Sequence, residues 1–125
     1  MEHFETITRE ELKEKIDHDE GFVLIDVLGA NSYERAHLPG AVMADAHEDD
    51  FLDEVARLVS DKDTEVVVYC ASFDCRLSTQ AAQKLVGAGY TAVVDYEGGL
   101  MDWAKGGYPL EGGEAAEVAE RLANA

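Results

Sequence analysis

The residues of this chain best suited to chemistry lie in the segment Cys70-Ala71-Ser72-Phe73-Asp74-Cys75-Arg76-Leu77-Ser78. Cys70 ends the run Glu65-Val66-Val67-Val68-Tyr69-Cys70, whose β-branched residues and polar flanks predict a strand. A helix is predicted from about Leu77 to Ala88, with Ala81, Ala82, Leu85 and Val86 inward and Gly89 at its end. A buried strand, a short loop and a helix start, in that order, surround a cysteine with loop N–H groups and a helix N-terminus. Such surroundings cradle an anion and favour a thiolate over a thiol. Arg76 adds a permanent positive charge, which lowers a nearby thiol pKa and offers a bidentate clamp for an oxyanion. The expected site is Cys70 as nucleophile, with Ala71, Ser72, Phe73, Asp74, Cys75 and Arg76 forming the substrate-binding loop.

Each of these residues has a structural alternative. An intracellular cysteine is commonly a small buried hydrophobe, but a strand end beside serine, aspartate and arginine favours a functional Cys70. Cys75 stays open between a packing residue and a second reactive thiol that forms a disulfide or accepts a sulfur from Cys70. Arg76 divides between contact with a ligand and a tie from the loop to a carboxylate such as Asp26. His47 lies among Asp45, Glu48, Asp49 and Asp50. Acids at a predicted helix start are more simply dipole-compensating, so no metal is expected there. His37 is assigned to the turn before Pro39, and His3 and His18 have no ligand-spaced partner.

The elements that position the loop follow from periodicity. Thr8 and Glu11 form a capping-box pattern opening a helix with Leu12 and Ile16 on its apolar face. Phe22 to Val27 is a continuous apolar run, as in a strand buried on both faces. A short helix around Tyr33-Glu34-Arg35, the turn Leu38-Pro39-Gly40 and a second strand, Ala41 to Met43, come next. Phe51, Leu52, Val55, Leu58 and Val59 repeat at helical spacing between 48 and 59. Ala92 to Val94 reads as a strand, and Gly98-Gly99 opens a helix ending near Trp103. Strands alternating with helices imply an α/β fold with a parallel sheet covered on both faces. The expected organisation is one domain, 1–111, followed by an acidic Ala/Glu-rich tail, 112–125, forming a peripheral helix.

Composition narrows the function classes. The chain has 125 residues, 46% of them hydrophobic, which suits one domain with a real core. Twenty-seven acids against ten Lys and Arg give a formal net charge of -17. Such a field repels phosphate backbones and anionic headgroups, so neither nucleic acid nor membrane is an expected partner. No apolar run approaches the ~20 residues needed to span a bilayer. Met1-Glu2-His3-Phe4-Glu5 lacks the order of a signal peptide, and two cysteines are too few for a disulfide scaffold. The expectation is a cytoplasmic protein. Its acidity fits either a salty cytoplasm or ordinary solvated helix faces.

Four further segments act together: Leu24-Ile25-Asp26-Val27, Ala36-His37-Leu38-Pro39-Gly40-Ala41, Val66-Val67-Val68-Tyr69-Cys70, and Glu97-Gly98-Gly99-Leu100-Met101-Asp102-Trp103 followed by Gly107-Tyr108-Pro109. In order and spacing they resemble the rhodanese homology domain, the single-domain sulfurtransferases, over roughly residues 7–111. The resemblance implies a rhodanese-like five-stranded parallel sheet flanked by helices, and a cysteine carrying sulfane sulfur as a persulfide. Cys70 is the matching cysteine. Pro39-Gly40, Gly98-Gly99 and Trp103 are structural marks of the resemblance rather than catalytic ones.

The chain also departs from that pattern. Many rhodanese-like loops place four residues between cysteine and arginine, with a glycine among them; here five intervene and none is glycine. Phe73 reaches left-handed backbone angles less cheaply than glycine, so a different loop conformation is expected. A longer loop resembles that of the phosphatases sharing the rhodanese fold, although Tyr69 stands where those usually carry histidine. Leu28 replaces an arginine common after the Asp-Val pair. The expected mechanism has two steps and needs no cofactor. Cys70 takes sulfur from a small donor such as thiosulfate, or from a persulfide-bearing protein or thiol, and passes it to a thiol or cyanide-like acceptor. Asp74 offsets Arg76, and the net charge opposes a dianionic donor. A phosphatase, a Cys70/Cys75 redox enzyme and a non-catalytic interaction module are the alternatives.

Overall fold

The computed structural model describes residues 3–18 and 21–125. Met1 and Glu2, part of the N-terminal reading above, lie outside them. The elements run β1 (Glu5–Thr6), α1 (Arg9–His18), β2 (Val23–Asp26), α2 (Ala30–Arg35), β3 (Val42–Met43), α3 (Phe51–Leu58), β4 (Val66–Tyr69), α4 (Leu77–Gly87), β5 (Val93–Tyr96), α5 (Gly99–Lys105) and α6 (Ala115–Ala123). The five strands form one sheet in the order β1-β5-β4-β2-β3, and every pairing is parallel. This is the rhodanese-like α/β architecture, with helices on both faces. Strand β1 carries no apolar signal: Glu5 and Thr6 are both exposed and pair at the sheet edge with Val94 and Asp95. The residue patterns show four strands, and the fifth follows only from the resemblance.

Strand β4 sits at the centre, and all four of its residues are buried. Val66 lies beside Val23 and Val93, and Tyr69 beside Asp26 and Tyr96. Side chains alternate along a strand, which sorts the molecule into two cores. Ile25, Val66, Val68, Cys70 and Val93 pack with Phe51 and Val55 of α3 and Ala81, Ala82 and Leu85 of α4. On the opposite face Leu24, Val67, Tyr69, Val94 and Tyr96 pack with Leu12 of α1 and Leu100 and Trp103 of α5. The same alternation directs Cys70 toward α4 and Tyr69 toward α5.

Local signals account for the helices that frame the site. The Thr8 N–H donates to Glu11 Oε1 at 3.1 Å and the Glu11 N–H to Thr8 Oγ1 at 3.2 Å, the reciprocal capping box that starts α1. Trp103 is fully buried, donates Nε1–H to the Pro109 carbonyl at 2.8 Å, and meets Tyr96 and Tyr108 edge-on. The segment beyond α5 returns over the domain: His37 and Glu111 exchange backbone hydrogen bonds at 2.8 Å, and the Glu114 N–H reaches the Arg35 carbonyl at 2.8 Å. Leu122 of α6 then packs against the α1/α5 core. Among the described residues, no helix is long and apolar enough to cross a membrane. Trp103→Ala is expected to lower the unfolding free energy by about 3–5 kcal/mol, read by chemical denaturation. A loss under ~1 kcal/mol would mean that α5 is not held by this side chain.

Candidate active site

The C-terminal end of β4 is fastened from two sides. On one, Asp26 is fully buried and accepts the Tyr69 hydroxyl at 3.0 Å and the Leu28 N–H at 2.9 Å. The Tyr69 oxygen in turn accepts the Leu38 N–H at 3.0 Å. Burial pushes the Asp26 carboxyl up, opposed by those two hydrogen bonds, and holds the Tyr69 phenol well above its ordinary value. Asp26 therefore serves Tyr69 and the loop after β2. It does not tie down Arg76, which lies exposed with no ion-pair partner among the described residues. Of the two alternatives open for Arg76, the tie to Asp26 is not formed.

On the other side the start of α5 holds the loop backbone. Its first-turn N–H groups have no partner within the helix. Two are used outward, Leu100 to the Cys70 carbonyl at 3.0 Å and Met101 to the Ala71 carbonyl at 2.9 Å. This approach needs Gly99, whose φ is +64° and where a Cβ would stand 2.3 Å from the Cys70 carbonyl oxygen. Glycine 99 is thus a residue of the site's geometry, a role that its place in a Gly-Gly pair did not disclose.

The loop closes on itself through the Cys75 N–H to the Ser72 carbonyl at 3.1 Å. Phe73 is 68% exposed at its tip, and Asp74 and Arg76 are exposed beside it. Cys70 is fully buried with its Sγ 3.4 Å from the Cys75 carbonyl oxygen, whereas Cys75 is only partly buried. Both are free thiols. Burial, with the hydrogen bond to Cys75, pushes the Cys70 thiol up to about 11, although Ser78 acts in the opposite direction. Burial also opposes ionisation of Cys75. The Cys70 S–H and the N–H groups of Ala71 and Leu77 outweigh it and hold the Cys75 thiol below its ordinary value. The expectation of a depressed Cys70 thiol is thereby reversed: Cys70 faces the core beneath the loop, and burial is the largest effect on it. The polarising surroundings foreseen for Cys70 belong instead to Cys75.

Two neighbouring groups were not anticipated. Asp95 of β5 is fully buried, with Oδ2 accepting the Thr79 hydroxyl at 2.8 Å. Its Oδ1 and the Ser78 hydroxyl, both buried, make no hydrogen bond. Burial raises the Asp95 carboxyl. The only sequence signal was an acid inside the apolar run of β5. Away from the loop, Asp45 Oδ1 accepts the His47 N–H at 2.9 Å and lies 2.7 Å from His47 Nδ1, a local Asx-type arrangement. Among the described residues no group of His, Cys, Asp or Glu is arranged to hold a metal ion. A cavity of about 520 Å³ opens beside Ala71 and Ser72, lined also by Leu28 and Leu100, by Arg35 and Arg121, and by Asp45. Leu28, the residue in place of an arginine, makes an apolar wall there.

A central parallel strand ends in a cysteine, and a loop pinned by α5 leads from it into α4. Residues 8–106 match the Rhodanese-like domain family, and the chain belongs to that family. Thiosulfate sulfurtransferase GlpE of Pseudomonas savastanoi pv. phaseolicola is 34% identical over 93 residues, 74% of this chain and 81% of that protein. YrkF of Bacillus subtilis, named as a sulfur carrier, is 30% identical over 97 residues, 78% of this chain. The match covers 49% of YrkF, so the chain spans about half the length of that relative. Among solved structures, a Bacillus halodurans protein superposes with a TM-score of 0.80 at 25% identity, over 91% of this chain and 80% of the other.

Two outcomes test this geometry. Gly99→Ala is expected to cost about 1–3 kcal/mol of stability, because both its positive φ and the Cys70 carbonyl exclude a Cβ. An unchanged denaturation midpoint would refute the close approach. The second concerns Asp95. Its carboxyl is raised in the folded state, so its favourable contribution is complete below the unfolded value of about 3.9 and is lost as pH rises through the folded value. Asp95→Asn should therefore raise Tm near pH 7.5, with the gain vanishing around pH 4. A melting series showing the same difference at both pH values would contradict this.

Proposed function

We propose that this chain is a sulfurtransferase-type protein that carries sulfane sulfur as a persulfide on Cys70 and passes it to a nucleophilic acceptor, a thiol or a cyanide-like anion. The observation that carries the reading is the free Cys70 at the end of β4, inside a loop pinned by α5 and leading into α4, in a member of the rhodanese-like family. Sulfurtransferase and sulfur-carrier names among its relatives support the same class. Thiolate attacks the outer sulfur of the donor, the donor's S–S bond breaks, and loop N–H groups stabilise the persulfide anion. Phosphate chemistry finds no support in the loop, where Arg76 is exposed.

Thiosulfate is a dianion approaching a chain of net charge -17, past Asp74. The cavity beside the loop, lined by Leu28 and Leu100 and carrying two arginines against one acid, Asp45, better suits a larger donor with an anionic group, either a low-molecular-weight persulfide or a persulfide-bearing segment. Mass measurement with residue-level mapping after donor treatment should place one added sulfur on Cys70 of the wild type once loading is complete. Wild-type protein gaining no sulfur from thiosulfate or from an organic persulfide would end the proposal. The KM for thiosulfate should fall as KCl shortens the screening length from about 30 Å at 0.01 M to about 8 Å at 0.15 M. Saturation at micromolar thiosulfate in low salt would contradict the electrostatic account.

A further inference from the structure

The loop holds two thiols in unlike surroundings, and the reading above uses one of them. Cys70 has no exposed surface, so a donor approaching the resting loop does not meet its sulfur. Cys75 is partly exposed. It lies where the loop turns into α4, and Leu77, whose N–H acts on its sulfur, is the first residue of that helix. That N–H is one of the unpaired donors at a helix start, and the Ala71 N–H reaches the same sulfur from the opposite arm of the loop. A thiol that is accessible and surrounded by N–H donors is the better nucleophile of the pair. The two cysteines are in contact, with Cys70 Sγ 3.4 Å from the Cys75 carbonyl oxygen.

We propose that Cys75 is the loading thiol of this protein, taking sulfane sulfur from the donor and handing it to Cys70. The inference rests on the sulfur-transfer reading and adds the route by which sulfur reaches a buried cysteine. In the first step the Cys75 thiolate attacks the outer sulfur of a donor R–S–S⁻. A Cys75–S–S⁻ persulfide forms, the donor bond breaks, and R–S⁻ leaves. In the second step the Cys70 sulfur attacks the outer sulfur of that persulfide and its proton moves to the migrating sulfur. Cys75–S–S⁻ and Cys70–SH become Cys75–S⁻ and Cys70–S–SH, with no net oxidation. The direction follows from position: the partly exposed Cys75 meets the donor, and the buried Cys70 receives the sulfur from it. The outer sulfur on Cys70 then stands about 2 Å beyond the buried Sγ, within the loop from which an acceptor takes it.

The test is a quenched time course of full-length protein with thiosulfate and, separately, a small organic persulfide, followed by peptide mapping. In the wild type, sulfur should appear first on Cys75 and later on Cys70. Cys70→Ser should retain sulfur on Cys75. Cys75→Ser should load Cys70 at least about tenfold more slowly, with an unchanged far-UV spectrum and Tm. Sulfur appearing first on Cys70 in the wild type, or remaining on Cys75 throughout, would overturn the relay, as would Cys75→Ser loading at the wild-type rate. Each of these leaves sulfur transfer itself standing. A wild type that takes no sulfur on either cysteine removes the functional reading and the relay together.

Discussion

The buried chain of hydrogen bonds from Asp26 to Tyr69 to the Leu38 N–H is the constraint on which the site depends. It joins the ends of β2 and β4 to the Leu38-Pro39-Gly40 turn, one residue before Cys70. A carboxylate and a phenol without solvent are costly unless each satisfies the other, and removing one leaves its partner with an unmet demand of about 1–3 kcal/mol. The chain therefore has one low-energy geometry. Because Tyr69 is held on the α5 side, strand alternation forces Cys70 to the α4 side. The first-turn N–H groups of α5 then take the carbonyls of Cys70 and Ala71, so the loop starts from a backbone fixed on both flanks.

The departures at Cys75 follow from that anchoring. With Cys70 directed into the core and its carbonyl occupied by α5, the extra residue in the loop brings a second thiol to where β4 gives way to α4. The N–H groups of Ala71 and Leu77 act on the Cys75 sulfur there. The Cys70 thiol donates to the Cys75 backbone carbonyl at 3.4 Å, and of the two thiols Cys75 is the one with access to solvent. Asp95 beneath them, with one oxygen lacking a hydrogen bond, adds a buried carboxyl that disfavours further negative charge in the same place.

Charge is distributed to the same end. Arg9 pairs with Asp102, Lys13 with Asp17, Lys15 with Glu65 and Arg57 with Glu54. Such partly exposed pairs add little stability, typically under about 1 kcal/mol each. Their consequence lies in what they omit: Arg35, Arg76 and Arg121 have no ion-pair partner among the described residues, and they flank the loop and its cavity. In a chain of net charge -17 this leaves a local patch able to receive an anion.

Much of this was legible in the one-dimensional pattern. The valine run of β4, the capping box at Thr8 and Glu11, the helical spacing of Phe51 to Val59 and the alternation of strands with helices depend on local propensity and periodicity, which neighbouring residues carry by themselves. They establish the parallel sheet and place Cys70 at its edge. Strand β1 escaped because two exposed residues at a sheet edge owe their conformation to Val94 and Asp95, about ninety positions away. The partner of Asp26, the approach of Gly99 to Cys70 and the unequal thiols escaped for the same reason. Each depends on which atoms from distant segments share a dry space, and desolvation and hydrogen bonding there reversed the acidity that the order of residues implied. The chain's pattern marked the cysteine loop as the candidate site; the folded packing decided which of its two thiols is buried and which is partly exposed.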